Sequence, residues 1–412
     1  MTEIIDKHVL SNKMVILGEP MEQVQSAAFN FMLPAGAALM PEKCCGAANV
    51  MDDWIFRGAG DKDSKQLGDA LDGLGVQRSS GVGTSHLVIG GALEASNLSA
   101  ALGLYGDVIL RPRLQEEHFG PARQLAIDGI KGLDDDPRHK VMLKLREQFY
   151  PTPLGRSTAG EIADLEKLTA EQTRAIVRER FNLSKTIFSM AGKYDFDAVC
   201  RQFEGLFAPA AVLRQQDAGA VQIGKRGSKY THIHNDGAQV HIGLMTETVR
   251  ANDKDYYNAR VAVSVLSGGM SARLFTEVRE KRGLCYAVGA QYNALKEAAG
   301  VAAYAGTTPD KAQQTLDLII AEFRRLAEGI SEEEIQRAKV GLKSSLILQS
   351  ESSSSRAGAI GSDYYILGRV RSLDEIKEKI EATTVDSVLG YLRNKPFKEF
   401  IVVTIGPKEV KV

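Results

Sequence analysis

Three short polar side chains near the start of the chain have the spacing of a catalytic metal site. Asn49, Asp52 and Asp53 stand at positions i, i+3 and i+4 of the segment 46–58, GAANVMDDWIFRG, so they share one face of a predicted helix. Histidine, glutamate and histidine at these positions would make the zinc motif H-x-x-E-H, in which two imidazoles bind the metal and the carboxylate deprotonates its water. The sequence here is N-x-x-D-D. The segment therefore has the frame of a metal site without its usual ligands.

The acidic residues of this region leave two interpretations open. Asp52, Asp53 and Asp128 could form an oxygen-rich site for a hard cation. A solvated acidic cluster, or one paired with Arg57, is the alternative that we favour.

Three histidines are a second candidate for metal binding. His232 and His234 share one face of strand-like sequence, and His241 follows on the next predicted strand. No third ligand stands at a convincing spacing, so we expect surface or loop histidines.

The segment 267–286, SGGMSARLFTEVREKRGLCY, is the most informative stretch of the second half. Its apolar positions form a helical stripe, and Arg279 with two further basic residues precedes Gly283 and Tyr286. On composition alone it is a helix whose basic last turn complements the helix dipole and whose end is set by glycine.

Size and charge narrow the class of protein. With 412 residues, 44% hydrophobic and 25% charged, the chain should form at least two globular domains. The net charge of -1 gives no electrostatic basis for binding nucleic acid or an anionic membrane. Four cysteines make no disulfide framework, no apolar run could span a bilayer and no targeting pattern opens the sequence, so we expect a cytoplasmic protein.

The order of predicted elements occurs twice. Glu116-Glu117 before Ala122 aligns with Glu332-Glu333 before Ala338, an offset of 216 residues from 122 to 338. A second pair of aligned segments, each a capped helix and then a strand ending in glycine, gives an offset of 214 residues from 192 to 406. Two homologous α+β halves follow, with domains at 1–208 and 229–412 and a linker at 209–228. The polar segment 351–358, ESSSSRAG, is expected to be a flexible break.

Both halves resemble one family, the pitrilysin or insulinase-like (M16) metallopeptidases. The resemblance is to the branch in which two chains pair, as in the mitochondrial processing peptidase. GGMSARLFTEVREKRGLCY is close to the signature of the family's second half, and PEKCCGAANVMDDWIFRGAG stands where the family has its zinc motif. The resemblance implies the LuxS/MPP-like metallohydrolase fold, with mixed, mainly antiparallel sheets covered by helices and a clamshell arrangement of the halves.

The resemblance also implies which site residues have been replaced. The first histidine corresponds to Asn49, the general-base glutamate to Asp52 and the second histidine to Asp53, while the third zinc ligand corresponds to Gly129, which has no side chain. In the family, an arginine and a tyrosine seven residues apart hold substrate and stabilise the carbonyl oxyanion. Arg279 and Tyr286 match these two positions. The alternative is a surface arginine and a packed tyrosine.

The resemblance therefore predicts a non-catalytic subunit that binds no zinc itself. Its partner would be a zinc-bearing M16 chain, and this chain would supply Arg279, Tyr286 and part of the wall of a chamber that holds a peptide substrate. Two alternatives stay open: a structural or assembly pseudo-peptidase, and a homodimeric peptide-binding protein without proteolysis.

Overall fold

The computed structural model describes residues 5–208 and 224–412, and most of the predicted linker 209–228 lies outside these ranges. Thirteen strands are found in this part of the chain: β1 Asp6–Val9, β2 Val15–Pro20, β3 Ser26–Leu33, β4 Gly58–Ala59, β5 Lys62–Asp63, β6 Gln77–Val82, β7 Leu87–Glu94, β8 Ile187–Gly192, β9 Tyr230–His234, β10 Val240–Glu247, β11 Cys285–Ala294, β12 Ala299–Thr307 and β13 Phe400–Gly406.

The α-helices of the same ranges number fourteen: α1 Ala47–Trp54, α2 Ser64–Gly73, α3 Leu98–Leu110, α4 Glu116–Lys131, α5 Pro137–Phe149, α6 Ile162–Leu165, α7 Ala170–Arg180, α8 Phe196–Phe207, α9 Tyr256–Ser267, α10 Ala312–Arg325, α11 Glu332–Ser350, α12 Ser353–Leu367, α13 Leu373–Glu381 and α14 Val385–Asn394. A π-helical segment, Phe275–Glu280, follows α9.

The two main sheets share one topology, which confirms the predicted α+β fold with two homologous halves. The first has the strand order β1-β2-β8-β3-β7-β6 and the second β11-β12-β10-β13-β9. In the first sheet β2 is parallel to β8, and β8, β3, β7 and β6 follow in antiparallel order. In the second sheet β9, β13, β10, β12 and β11 repeat this pattern. Only the first sheet has an extra edge strand, β1, among the described residues.

Each of the two compact units of the chain includes a helix from the other half of the sequence. Unit 1 comprises residues 1–132, 156–223 and 349–370, so it contains α12, whereas unit 2 comprises 133–155, 224–348 and 371–412, so it contains α5. The units thus differ in composition from the predicted domains 1–208 and 229–412, whose boundaries stay a prediction.

The first sheet of unit 1 has an aromatic core on one face. Phe29, Phe31 and Phe188 alternate along β3 and β8 toward this face, where they meet buried rings from α3 and α8. The opposite face, lined by small and aliphatic side chains, packs against Ala357 and Ile360 of α12.

Helix α12 corrects the expectation of a flexible break at 351–358. Ser352 caps the helix by accepting a hydrogen bond from the backbone N–H of Ser355, and the polar serines lie in its first turn. Arg356, 4% exposed, donates to both carboxylate oxygens of Glu19, 5% exposed, with Nε at 2.8 and 2.9 Å. The composition of the segment indicated exposure, but a buried bidentate ion pair accounts for its arginine.

In unit 2, α5 packs on one face of the second sheet. Val141 and Leu145 are fully buried over Gly243 of β10, where any larger side chain would meet them. The opposite face carries the main core of the unit, with Ile242 and Leu244 alternating toward it. Helices α5 and α12 follow equivalent long helices, α4 and α11, so the two units are built alike.

We predict that the buried ion pair contributes strongly to the stability of unit 1. Arg356→Met leaves the Glu19 carboxylate buried without this partner, which should cost about 3–5 kcal/mol of unfolding free energy. Urea denaturation followed by the fluorescence of Trp54, the single tryptophan and a core residue of the same unit, measures it.

The matched control is Arg337→Met, which removes an exposed i,i+4 partner of Glu333 and should cost less than about 1 kcal/mol. The double variant Glu19→Gln/Arg356→Met should recover part of the loss. Equal, small effects of the two arginine changes would contradict the prediction.

Candidate functional site

Helix α1 carries the residues at the metal-site positions, and a close backbone contact fixes where it begins. Gly46 precedes the helix with a φ of 101°, and Gly160, with a φ of 94°, lies directly against it. A Cβ atom at Gly160 would collide with the backbone of Gly46, so only glycine permits this approach. The loop at 158–160 is therefore held over the first turn of α1.

Asn49 holds this loop to the helix. Its side-chain Nδ2 donates hydrogen bonds to the carbonyl oxygens of Thr158 at 2.7 Å and Ala159 at 3.3 Å. The amide thus satisfies backbone acceptors, which is a structural use of the position that resembles the first zinc ligand.

The two aspartates of α1 also have local partners. Asp53 forms an i,i+4 ion pair with Arg57, as expected for the paired cluster. Asp52 accepts a hydrogen bond from the Ser80 hydroxyl of β6 at 3.0 Å, while its Oδ1 is buried without a partner among the described residues. Burial raises the pKa of Asp52 to about 6, against an opposing effect of the Ser80 hydrogen bond and with a smaller contribution from Asp53.

The position of the third ligand offers no donor. Gly129 lies on α4, which packs beside α1, and a Cβ atom there would meet no atom within 4 Å. The neighbouring Asp128 accepts from Gln124 Nε2 at 2.8 Å.

The residues at these four positions do not fit a zinc ion. An amide bound to carbonyls, an aspartate paired with Arg57 and a glycine cannot replace two imidazoles and a carboxylate. Within residues 5–208 and 224–412, no group of three or more His, Cys, Asp or Glu side chains is arranged to hold a metal ion.

The three histidines lie on strands of the second sheet. His232 and His234 lie on the edge strand β9, where His232 Nδ1 is 2.8 Å from the Thr404 hydroxyl and His234 is exposed beside Asp236. His241 lies on β10, and its Nδ1 is 2.9 Å from the hydroxyl oxygen of Tyr304.

The basic segment of the second half contains the π-helical turn, which sequence reasoning took for an ordinary helix end. Lys281 N–H bonds the carbonyl of Thr276 at 2.9 Å, an i+5 spacing, and Gly283 follows with a φ of 56°. Such turns are rare and occur frequently at functional sites.

Most of the charges in this segment are paired. Arg273 forms a bidentate bond to Glu334, with distances of 2.6 and 2.9 Å. Hydrogen bonds from Lys281 and Arg282 lower the pKa of Glu277 to about 2.

Arg279 differs from these neighbours. It is exposed, its guanidinium lies 4.8 Å from the centre of the Phe275 ring, and no carboxylate pairs with it in the described part of the chain. Tyr286, on the edge strand β11, is 48% exposed, and its hydroxyl donates to Gln239 Oε1.

Sequence reasoning did not identify Gln239 or Tyr304 as partners of Tyr286. They lie 47 residues before and 18 residues after it in the chain, and only strand pairing brings them together. The alternation of β12 shows that Tyr304 shares a face with its neighbours two residues away, but it does not show which strand lies beside it.

Comparisons with known proteins agree with this architecture. The profile of a family described as "Peptidase M16 inactive domain" matches residues 167–342. An uncharacterized zinc protease of Rickettsia felis is 27% identical over 406 residues, which is 98% of this chain and 97% of that protein.

Two solved structures share the fold. The peptidase M16 inactive domain from Pseudomonas fluorescens superposes with a TM-score of 0.89 at 18% identity, covering 99% of both chains. A chain of complex III2 from Candida albicans has a TM-score of 0.86 at 17% identity, covering 98% of this chain and 96% of that one.

The chain therefore has a two-unit α+β fold that it shares with a peptidase M16 inactive domain of known structure. The chain is thus similar to the peptidase M16 family over residues 167–342. No helix in the described ranges is long and apolar enough to cross a membrane.

We predict that Asp52 destabilises the folded chain at neutral pH. Because its folded pKa of about 6 is above the ordinary 3.8, the stability that its protonated form contributes is present below pH 4 and is lost as the pH rises through 6. Asp52→Asn keeps an acceptor for Ser80 and should raise unfolding free energy at pH 7.5 by up to about 3 kcal/mol, with little effect at pH 4.

Urea denaturation followed by Trp54 fluorescence at both pH values measures the effect. The control Asp53→Asn weakens the Arg57 ion pair and should destabilise slightly at pH 7.5. A destabilising effect of Asp52→Asn at pH 7.5 would contradict the assignment.

Proposed function

We propose that this chain is the zinc-less subunit of a two-chain M16 metallopeptidase. The observation that carries the proposal is an asymmetry between the two sets of site residues. Those at the zinc-ligand and general-base positions lack a side chain or serve local contacts, whereas Arg279 is exposed without a carboxylate partner in the described ranges.

The use made of Asn49 supports this proposal. Its amide donates two hydrogen bonds to backbone carbonyls, so the first turn of α1 is bound to the 158–160 loop without an ion. The inactive-domain profile that matches the chain is consistent with a subunit that does not cleave peptides alone.

The chemistry of Arg279 and Tyr286 supports a role at a reacting carbonyl. A fixed cation and a phenolic O–H are the donors that stabilise negative charge on a tetrahedral intermediate. The stacking of Arg279 on Phe275 restrains the guanidinium yet leaves it exposed. In this proposal both groups act on a peptide that is bound at the zinc of the partner chain.

Open sheet edges provide contacts for an extended peptide. Strand β11, which carries Tyr286, is the edge of the second sheet, and β6 is the edge of the first. Five of the six residues of β6 are exposed. A peptide strand can add to such edges through backbone hydrogen bonds.

A second candidate function is an assembly subunit that has no role in proteolysis. It is favoured by the similarity of fold to a chain of a respiratory complex, complex III2. A homodimer that binds peptides without cleaving them is a third arrangement. Neither candidate requires a cation to be left exposed in the segment that carries Arg279.

The test is reconstitution with a zinc-motif relative from the same genome. We expect the pair to hydrolyse peptides when zinc is present and each chain alone to be nearly inactive. Arg279→Ala and Tyr286→Phe should each reduce kcat/KM of the complex by about 10²–10³-fold, as the loss of one oxyanion donor does.

Matched controls are available in the same elements. Lys281→Ala removes a cation two residues from Arg279, and Tyr292→Phe removes a phenol from the same strand as Tyr286; both should retain most activity. Strong metal-dependent cleavage by the lone chain, or a complex indifferent to both test variants, would refute the proposal. A stable complex without peptide affinity would instead support the assembly function.

A further inference from the structure

The hydroxyl of Tyr286 belongs to a connected set of polar side chains in unit 2. It donates to Gln239 Oε1. The Tyr304 hydroxyl, 2.9 Å from His241 Nδ1, lies over the same residue of β12 as the Tyr286 hydroxyl, since a Cβ atom at Gly306 would come within 2.9 Å of both oxygens. Four side chains from β10, β11, β12 and the residue before β10 therefore form one line, which runs from Gln239 through the exposed Tyr286 and Tyr304 to His241.

The backbone of β12 makes room for this line. Gly306 pairs with His241 on one side and with Ala287 on the other. A Cβ atom at Gly306 would come within 2.9 Å of the Tyr304 hydroxyl oxygen and closer still to that of Tyr286. Glycine weakens the interior of a strand, so the two hydroxyls give a specific reason for it here.

The groups around His241 are few. Asp136, the residue before α5, and Tyr304 of β12 face it, whereas β13 carries no titratable residue. Arg138 of α5 and Tyr286 of β11 lie next to Tyr304. Burial lowers the pKa of His241, while Asp136 acts in the opposite direction. Burial, and then the neighbouring Tyr286, raise the pKa of Tyr304, whose ring lies 5.0 Å beneath the Arg138 guanidinium.

We propose that Tyr304 and His241 are positioning residues that set the direction in which the Tyr286 phenol donates its proton. The proposal rests on the function proposed above, in which Tyr286 faces a substrate carbonyl. Gln239 takes the place of that carbonyl in the free chain, because its Oε1 accepts from the same hydroxyl.

The direction in which Tyr286 donates depends on where the protons of Tyr304 and His241 lie. With His241 protonated, Nδ1–H donates to the Tyr304 oxygen, the Tyr304 proton goes to the Tyr286 oxygen, and the Tyr286 proton points outward. With Nδ1 unprotonated, Tyr304 donates to the imidazole and its oxygen accepts from Tyr286, in competition with the outward acceptor. Each hydroxyl has one proton, so loss of the Nδ1 proton from His241 reorients both phenols.

The test uses the full-length chain alone, labelled with [13Cζ]tyrosine and [13Cε1]histidine. Tyr286→Phe and a His241→Leu variant assign the two resonances. Between pH 5 and 8, the Tyr286 resonance should shift with the same midpoint as His241. This response should be lost in His241→Leu and in Tyr304→Phe, which keeps the ring under Arg138. It should persist in the control Tyr292→Phe.

The proposal would be overturned if the chemical shift of Tyr286 did not change as His241 titrates, or if it changed equally in Tyr304→Phe. His241→Leu provides the second variant if Tyr304→Phe fails to fold. In the reconstituted complex, Tyr304→Phe should lower kcat about tenfold with little change in KM.

The two proposals fail separately. A complex that ignores Tyr286→Phe refutes the proposed function but leaves the coupling measured in the lone chain. If the lone chain shows no coupling but the activity of the complex depends on Tyr286, only the positioning by Tyr304 and His241 is refuted.

Discussion

The buried ion pair between Glu19 and Arg356 is the interaction on which the organisation of the chain depends most. It joins residues 337 positions apart and places α12, from the second half of the sequence, on the sheet built by the first half. Helix α5 has the corresponding place on the second sheet. Since each unit takes a helix from the other half, neither half of the sequence covers the second face of its own sheet, although each builds its own main core. Stability of this kind requires no metal.

The residues at the positions that resemble the zinc site have local roles in the fold. Asn49 holds the 158–160 loop, Asp53 pairs with Arg57, and Asp52 ties α1 to β6 although its buried carboxylate is costly. In unit 2 most charged side chains around the π-helical segment form ion pairs, whereas Arg279 is exposed. The first unit thus uses its site residues for the fold, and the second keeps exposed polar groups that can act on a ligand.

The sequence predicted the fold well because the relevant signals are local or repeated. The capped helix of the first repeat begins with a capping box formed by Thr169 and Gln172, and the duplication appears as one strand topology in both sheets. Long-range contacts could not be predicted: the serine-rich start of α12 resembles a loop until Glu19 is seen beside Arg356. For the same reason the pairing of Tyr286 with Gln239 and Tyr304 depends on strand neighbours, which hydrophobic periodicity does not specify.

Zinc titration calorimetry on the metal-free, full-length chain tests most directly whether the ligand set has been lost. Asn49, Asp53 and Gly129 stand at the three positions that resemble zinc ligands, so we expect no saturable binding at one equivalent of zinc. A variant with Asn49→His, Asp52→Glu, Asp53→His and Gly129→Glu should gain a single site, since a Cβ atom at Gly129 meets no atom within 4 Å. One tightly bound zinc in the native chain, released by Asn49→Ala or Asp53→Asn, would contradict the loss of the metal.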